Sequence, residues 1–164
     1  MNNEIPEIAQ KKNAWLLSQL DVAYPAKESL LGREVYKASL DKRTYQPLSV
    51  DQAPATIEEI HKVDFHKLTV LFSLNQASAY ESEYDKTHIL EFLSQIILSD
   101  EHQLYIGTVG SDVVASAIVT KTESELLVSD LVNQVDQDIL GFAQQLITLC
   151  DSSHLSTNNV WVES

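Results

Sequence analysis

The sequence predicts an α/β fold: a mixed antiparallel and parallel sheet flanked by helices, with an N-terminal helical arm. Three observations carry this. Apolar residues recur at helical spacing up to residue 100 and form strand-like runs after it. Three of those runs follow one another across short polar turns, as in an antiparallel meander. A strongly amphipathic helix then leads to one more strand, and a helical crossover makes that strand parallel to its neighbour.

The arm comes first. Residues 4–20 carry Ile5, Ile8, Trp15, Leu16 and Leu20 on roughly one helical face, with Pro6 suited to a first turn. Pro25 breaks the pattern. Residues 27–41 resume it with Leu31, Val35 and Ala38 on one side, although Gly32 is a weak helix former. Residues 1–43 are therefore expected as an arm, and 44–164 as an α/β domain, within one compact unit. Left alone, Trp15, Leu16, Leu20, Leu31 and Val35 would expose an apolar stripe. Two roles stay open for the arm: covering the sheet, or joining a second chain.

Residues 44–50, TYQPLSV, form a short strand, with Pro47 pointing to an edge or a bulge. Thr56 and Glu59 have capping-box spacing and predict a helix running to about Phe72. A polar loop over 73–84 follows. Asp85 then caps a second helix, striped by Ile89, Phe92, Leu93, Ile96 and Ile97. Strands are predicted at 103–109 and 112–121, joined by a hairpin turn at Gly110, Ser111 and Asp112. The third strand covers 123–132. Ile139, Phe142, Ala143, Leu146 and Cys150 mark the crossover helix, and NNVWVES closes the chain as a strand.

Composition narrows the function. The 164 residues suit one domain, and 44% hydrophobic residues suffice for a core. The 24 acids outnumber the 11 bases, giving a net charge of −13. Such a surface repels nucleic acid and anionic membranes and favours solubility and a basic partner. One cysteine, Cys150, permits no intrachain disulfide. No secretory leader pattern opens the sequence, and no apolar run approaches the ~20 residues of a membrane span. A cytoplasmic location is expected.

The chemistry-bearing residues are sparse. His61 and His66, read on one helix, stand about 140° apart and share no face, so no metal site is expected. His88 and His102 read as surface residues. Ser116 lies in no nucleophile motif, and no glycine-rich nucleotide loop is present. Glu123, Glu125 and Asp130 place carboxylates on or beside the third meander strand, Asp130 near its C-terminal end.

Over roughly residues 44–164 the element order resembles the GNAT N-acyltransferase superfamily. YQPLSVDQA at 45–53 is similar to that family's opening strand and turn, with Gln46 where arginine is common. IGTVGSDVVASAIV at 106–119 is similar to the hairpin between that family's second and third strands. The family's diagnostic Arg/Gln-x-x-Gly-x-Gly/Ala has its best match at Asp138, Gly141 and Ala143. The resemblance implies that Gly141, Phe142 and Ala143 offer backbone N–H groups to a CoA pyrophosphate at a helix N-terminus. It implies that strand ends near Leu131 and Val132 hold the pantetheine and that Asp130 is the general base. The 73–84 loop would wall the acceptor site.

The match departs from the family in two places. Asp138 replaces the basic or amide residue, and Asp136 lies close by. A carboxylate ~5 Å from a phosphate charge costs ~1 kcal/mol in water-like surroundings and ~3 kcal/mol at an effective dielectric near 20. The helix N-terminus returns only ~0.3–1 kcal/mol. The same residues also read as an ordinary acidic helix start with small residues packed on the sheet. The family further carries a C-terminal helix and two strands bearing a tyrosine acid. The sequence ends at Ser164, so no residue takes that role by matching, and the arm is a candidate replacement for that layer.

Two functions are consistent with these features. One is a divergent, catalytically inactive acetyltransferase-like protein, requiring no cofactor and acting through a protein partner or a homo-oligomer. The other is an N-acyltransferase using acetyl-CoA or another acyl-CoA on an unknown amine.

Overall fold

The computed structural model describes residues 5–48, 57–136, 138–150 and 159–164. It is an α/β fold with one six-stranded mixed sheet. The helices are α1 (Glu7–Leu17), α2 (Lys27–Ser39), α3 (His66–Ala77), α4 (Glu83–Leu93) and α5 (Ile139–Leu149). The strands are β1 (Tyr45–Pro47), β2 (Glu59–Lys62), β3 (His102–Val109), β4 (Asp112–Lys121), β5 (Leu126–Asn133) and β6 (Val160–Glu163). Their spatial order is β1-β6-β5-β4-β3-β2. Every neighbouring pair is antiparallel except β5 and β6, which the α5 crossover makes parallel.

Alternation along the strands divides two cores. Ala115, Ala117 and Val119 of β4 face α5, where Phe142, Ala143 and Leu146 are fully buried. Ile118, with Leu104 and Ile106 of β3, faces Phe72, Ile89 and Phe92 of α3 and α4. The arm packs on this same chain. Ile8 and Ala9 of α1 cover Leu127, while Leu16, Leu20 and Tyr36 join the α3–α4 core. Gly110 adopts φ +62 at the β3–β4 hairpin, a conformation glycine takes at no steric cost.

The segment before the meander differs from expectation. Glu59 lies in strand β2, so no capping box opens a helix there; Thr56 falls outside the described residues. β2 pairs antiparallel with β3, and α3 starts only at His66. His61 and His66 therefore sit on a strand and a helix start, not on one helix. The expected 73–84 loop is largely helix, because α3 continues to Ala77 and buries Ser73, Asn75 and Gln76. Single-turn polarity misled here: Asn75 and Gln76 meet Ser116 of β4, Gln76 also reaches the Asp130 carbonyl of β5, and Ser73 donates to the Thr69 carbonyl within α3. Ser82, not Asp85, caps α4, its hydroxyl accepting from the Asp85 N–H at 3.0 Å. α4 ends at Leu93, leaving Ile96 buried and Ile97 exposed. Tyr45–Pro47 forms the edge opposite β2, paired with β6, and the turn expected at 51–53 lies outside the described residues.

Gly32 has a steric reason. A Cβ there would stand 1.9 Å from the His88 carbonyl oxygen, so only glycine lets α2 approach α4 this closely. Gly32→Ala is expected to lose about 1–3 kcal/mol of stability, as overpacking does. Urea unfolding checks this; a neutral or stabilising substitution would mean the two helices can separate freely.

Candidate functional site

The meander carries two register shifts, one in the β3–β4 pair at Gly107 and Thr108 and one in the β4–β5 pair, and the polar residues gather at the second. Ser116 pairs with Val132 and Ile118 with Ser129, so Asp130 and Leu131 together oppose Ala117. This is a β-bulge. Asp130 takes φ +53, a left-handed conformation that aspartate tolerates better than most residues. Parallel pairing of β5 with β6 ends at Val128 and Val162. Past that point the Asp130 N–H donates to the Glu163 side chain at 3.0 Å, so a carboxylate takes the place of the next ladder carbonyl.

Residues of the arm enter this gap. The Lys12 ammonium of α1 is fully buried, 2.9 Å from Asp130 and 3.2 Å from Glu163. Arg43, which follows α2, bonds both carboxylates. The Tyr36 hydroxyl donates to Asp130 Oδ1 at 2.8 Å and accepts from Lys12 at 2.9 Å. Ser129 donates to Asp130 Oδ2, and Tyr45 to Glu163 Oε2, both at 2.8 Å. Two cations meet two carboxylates, and each carboxylate oxygen has two donors, which is what makes buried charge tolerable.

Electrostatics fix the protonation states. Burial pushes the Asp130 carboxyl upward, but Lys12 and Arg43 outweigh it and hold the group well below the usual carboxylate range. Burial, then the Asp130 charge, raises Tyr36 well above its ordinary value, so it stays a neutral donor. Tyr45 is pushed up to about 12 by burial and Glu163. An Asp130 carboxylate held this strongly, with both oxygens occupied, is a poor proton acceptor.

The loop between β5 and α5 is the second part of the candidate site. Asp138 is the N-cap of α5, its Oδ1 accepting from the Gly141 N–H at 2.9 Å. Asp136 Oδ1 accepts from the Asp138 N–H at 3.0 Å and from the Asn133 amide at 2.9 Å. Asn133 Oδ1 in turn accepts from the Val135 N–H at 3.0 Å. Three loop donors are thus taken by the chain's own oxygens. Gly141 is small for the same reason: an added Cβ would meet Asp138 Oδ2 at 2.3 Å. Phe142 and Ala143 point into the core and offer only backbone.

Leu131 and Val132 line a cavity of about 270 Å³ together with Arg43, Gln76, Tyr80 and Ile139. The bulge and the α5 start therefore share one cavity. Gln76 anchors its floor by donating to the Ser116 hydroxyl at 2.8 Å and to the Asp130 carbonyl. Glu125 instead accepts from the Trp161 indole at 3.0 Å, and Glu123 borders a separate groove with Glu7 and Lys11. His102 is buried, contrary to its expected surface position. It stacks on Trp15 at 4.6 Å and meets the Thr120 hydroxyl at 3.0 Å, and burial lowers its basicity. Among the described residues no group of three His, Cys, Asp or Glu could hold a metal, and no helix is long and apolar enough to cross a membrane.

Lys12, Tyr36, Arg43 and Glu163 were not among the site residues expected from sequence. One signal for them existed. Lys12 sits midway between Ile8 and Leu16 at i+4 spacing, a charge inside an apolar stripe. Neither a scan against protein-family models nor a search of curated proteins finds a match to this chain.

Proposed function

We propose that this chain is a GNAT-like scaffold whose pyrophosphate cradle is closed by its own carboxylates, and that it works by association with a protein partner or a second copy, not by acyl transfer. The observation that carries this reading is the occupancy of the loop donors by Asn133, Asp136 and Asp138. A pyrophosphate would have to displace those oxygens and then sit beside the carboxylates it had displaced. Both steps oppose binding. The gap between β5 and β6, where a pantetheine would bond to strand backbone, is filled by the Lys12–Asp130–Arg43–Glu163 cluster.

One observation favours the alternative of an acyl-CoA-dependent N-acyltransferase: the cavity beside Leu131 and Val132 stays open. Calorimetric titration with acetyl-CoA and a longer acyl-CoA separates the two. Expected is no saturable heat up to about 1 mM ligand, a binding energy weaker than about 4 kcal/mol. Saturable micromolar binding of either ligand would overturn the proposal and favour the transferase.

A further inference from the structure

We propose that strand β2 is a self-recognition edge, through which two copies of this chain join their sheets antiparallel about a two-fold axis at Ile60. Among the described residues β2 is the end strand of the sheet and pairs only with β3. The Val63 N–H donates to the Leu104 carbonyl at 2.8 Å, which fixes the alternation of the ladder. The backbone groups of Glu59 and His61 therefore turn to β3, and those of Ile60 and Lys62 turn to the open edge. An antiparallel partner must match outward residues with outward residues, so Ile60 can face its own copy.

That register has an electrostatic consequence. The segment reads Glu58, Glu59, Ile60, His61, Lys62: acid, acid, apolar, imidazole, ammonium. The Glu58 and Lys62 charges are antisymmetric about Ile60, and Glu59 stands opposite the imidazole position. When Ile60 faces Ile60 of the second copy, Glu58 faces Lys62 and Glu59 faces His61, each twice by symmetry. Facing side chains share one side of the joined sheet. Glu59 and His61 already lie together at 3.2 Å, on the side opposite Ile60. Ile60 is half-buried against the α5 core, so the joined strands would extend that apolar face. Glu58 and Lys62 are exposed, and Glu58 makes only long 3.3 Å contacts with the Gly110 N–H. Edge strands that avoid pairing commonly carry charge that repels a second copy. This edge carries the opposite arrangement, in which a second copy brings unlike charges into register.

The proposal rests on the association reading above and gives it a surface. Sedimentation and CoA titration probe different places, so either can fail without the other. The pairing segment is short, and the area is below that of permanent dimers, so a reversible, concentration-dependent dimer is expected. Sedimentation velocity of the full chain up to about 1 mM tests it. Lys62→Glu and Glu58→Lys should each weaken the dimer about tenfold, because two symmetry-related pairs turn from attraction to repulsion. The double variant Glu58→Lys/Lys62→Glu should return to within about threefold of the unmodified chain, since the antisymmetry is restored with signs exchanged. Ile60→Pro removes an outward N–H and leaves the β3 ladder intact, so it should abolish the dimer while circular dichroism is unchanged. A chain that stays monomeric throughout would overturn the proposal. So would a dimer insensitive to the single reversals, or one that the double variant fails to recover.

Discussion

Asp130→Ala is expected to destabilise the protein by about 3–5 kcal/mol, because it leaves Lys12 and Arg43 buried against a single carboxylate. Alanine at φ +53 adds strain of about 1–2 kcal/mol. Asp130→Asn tolerates that backbone and keeps one acceptor oxygen while removing the charge, so the difference between the two variants combines the strain with the side-chain hydrogen bonds that alanine cannot make. The charge also sets a pH dependence. The folded carboxyl is held below its unfolded value of about 3.9, so its contribution is complete above that pH. The contribution is lost as pH falls below about 4 toward the folded value. Urea unfolding at pH 7 and below pH 4 should therefore show an acid limb in the unmodified chain that is flatter in Asp130→Asn. Equal acid limbs, or a cost below about 1 kcal/mol at pH 7, would mean the cluster is not the fold's polar anchor.

Lys12→Met should cost a similar 3–5 kcal/mol, since it keeps the apolar stem and strands two carboxylates against Arg43 alone. The double variant Lys12→Met/Asp130→Asn leaves one neutral pair, Arg43 with Glu163. Its cost should fall short of the sum of the single costs by about 1–3 kcal/mol. In a Trp161→Phe background Trp15 is the one indole left, and its stack on His102 makes fluorescence a local reporter of α1. In Lys12→Met that signal should unfold before the far-ultraviolet signal of the sheet. Coincident transitions with additive costs would show that α1 is held by Ile8, Ala9 and Leu16 and not by its lysine.

The parts of the fold set by local periodicity were legible in the sequence. The β3–β4–β5 meander, the Gly110 turn and the α5 crossover to a parallel β6 stand where alternation, turn chemistry and chain reversal put them. β2 was hidden because Thr56 and Glu59 have the spacing of a helix cap, while pairing with β3 decides the outcome. α3 was cut short because Ser73, Asn75 and Gln76 are polar; Ser73 turns its hydroxyl back to the Thr69 carbonyl, and only distant partners on β4 and β5 make Asn75 and Gln76 core residues. The site divides in the same way. Asp130, Leu131 and Val132 are neighbours in sequence and share one cavity. Lys12 and Glu163, 3.2 Å apart across the fold, have no local signature except the charge within the Ile8–Leu16 stripe. Asp138 was visible as an acid at a helix start. That its carboxylate fills the space above Gly141 is a matter of rotamer and cap geometry.

The closed cradle is tested most directly at the amides themselves. In a ¹⁵N-resolved NMR titration of the full chain with CoA, the Val135, Asp138 and Gly141 N–H groups should keep their positions, because Asn133, Asp136 and Asp138 already occupy them. Asp138→Gly frees the Gly141 donor at a capping cost of only a few tenths of a kcal/mol, and in that variant the Gly141 amide should begin to move with CoA. Saturable shifts of all three amides in the unmodified chain would contradict the closed cradle and return the loop to an open phosphate site.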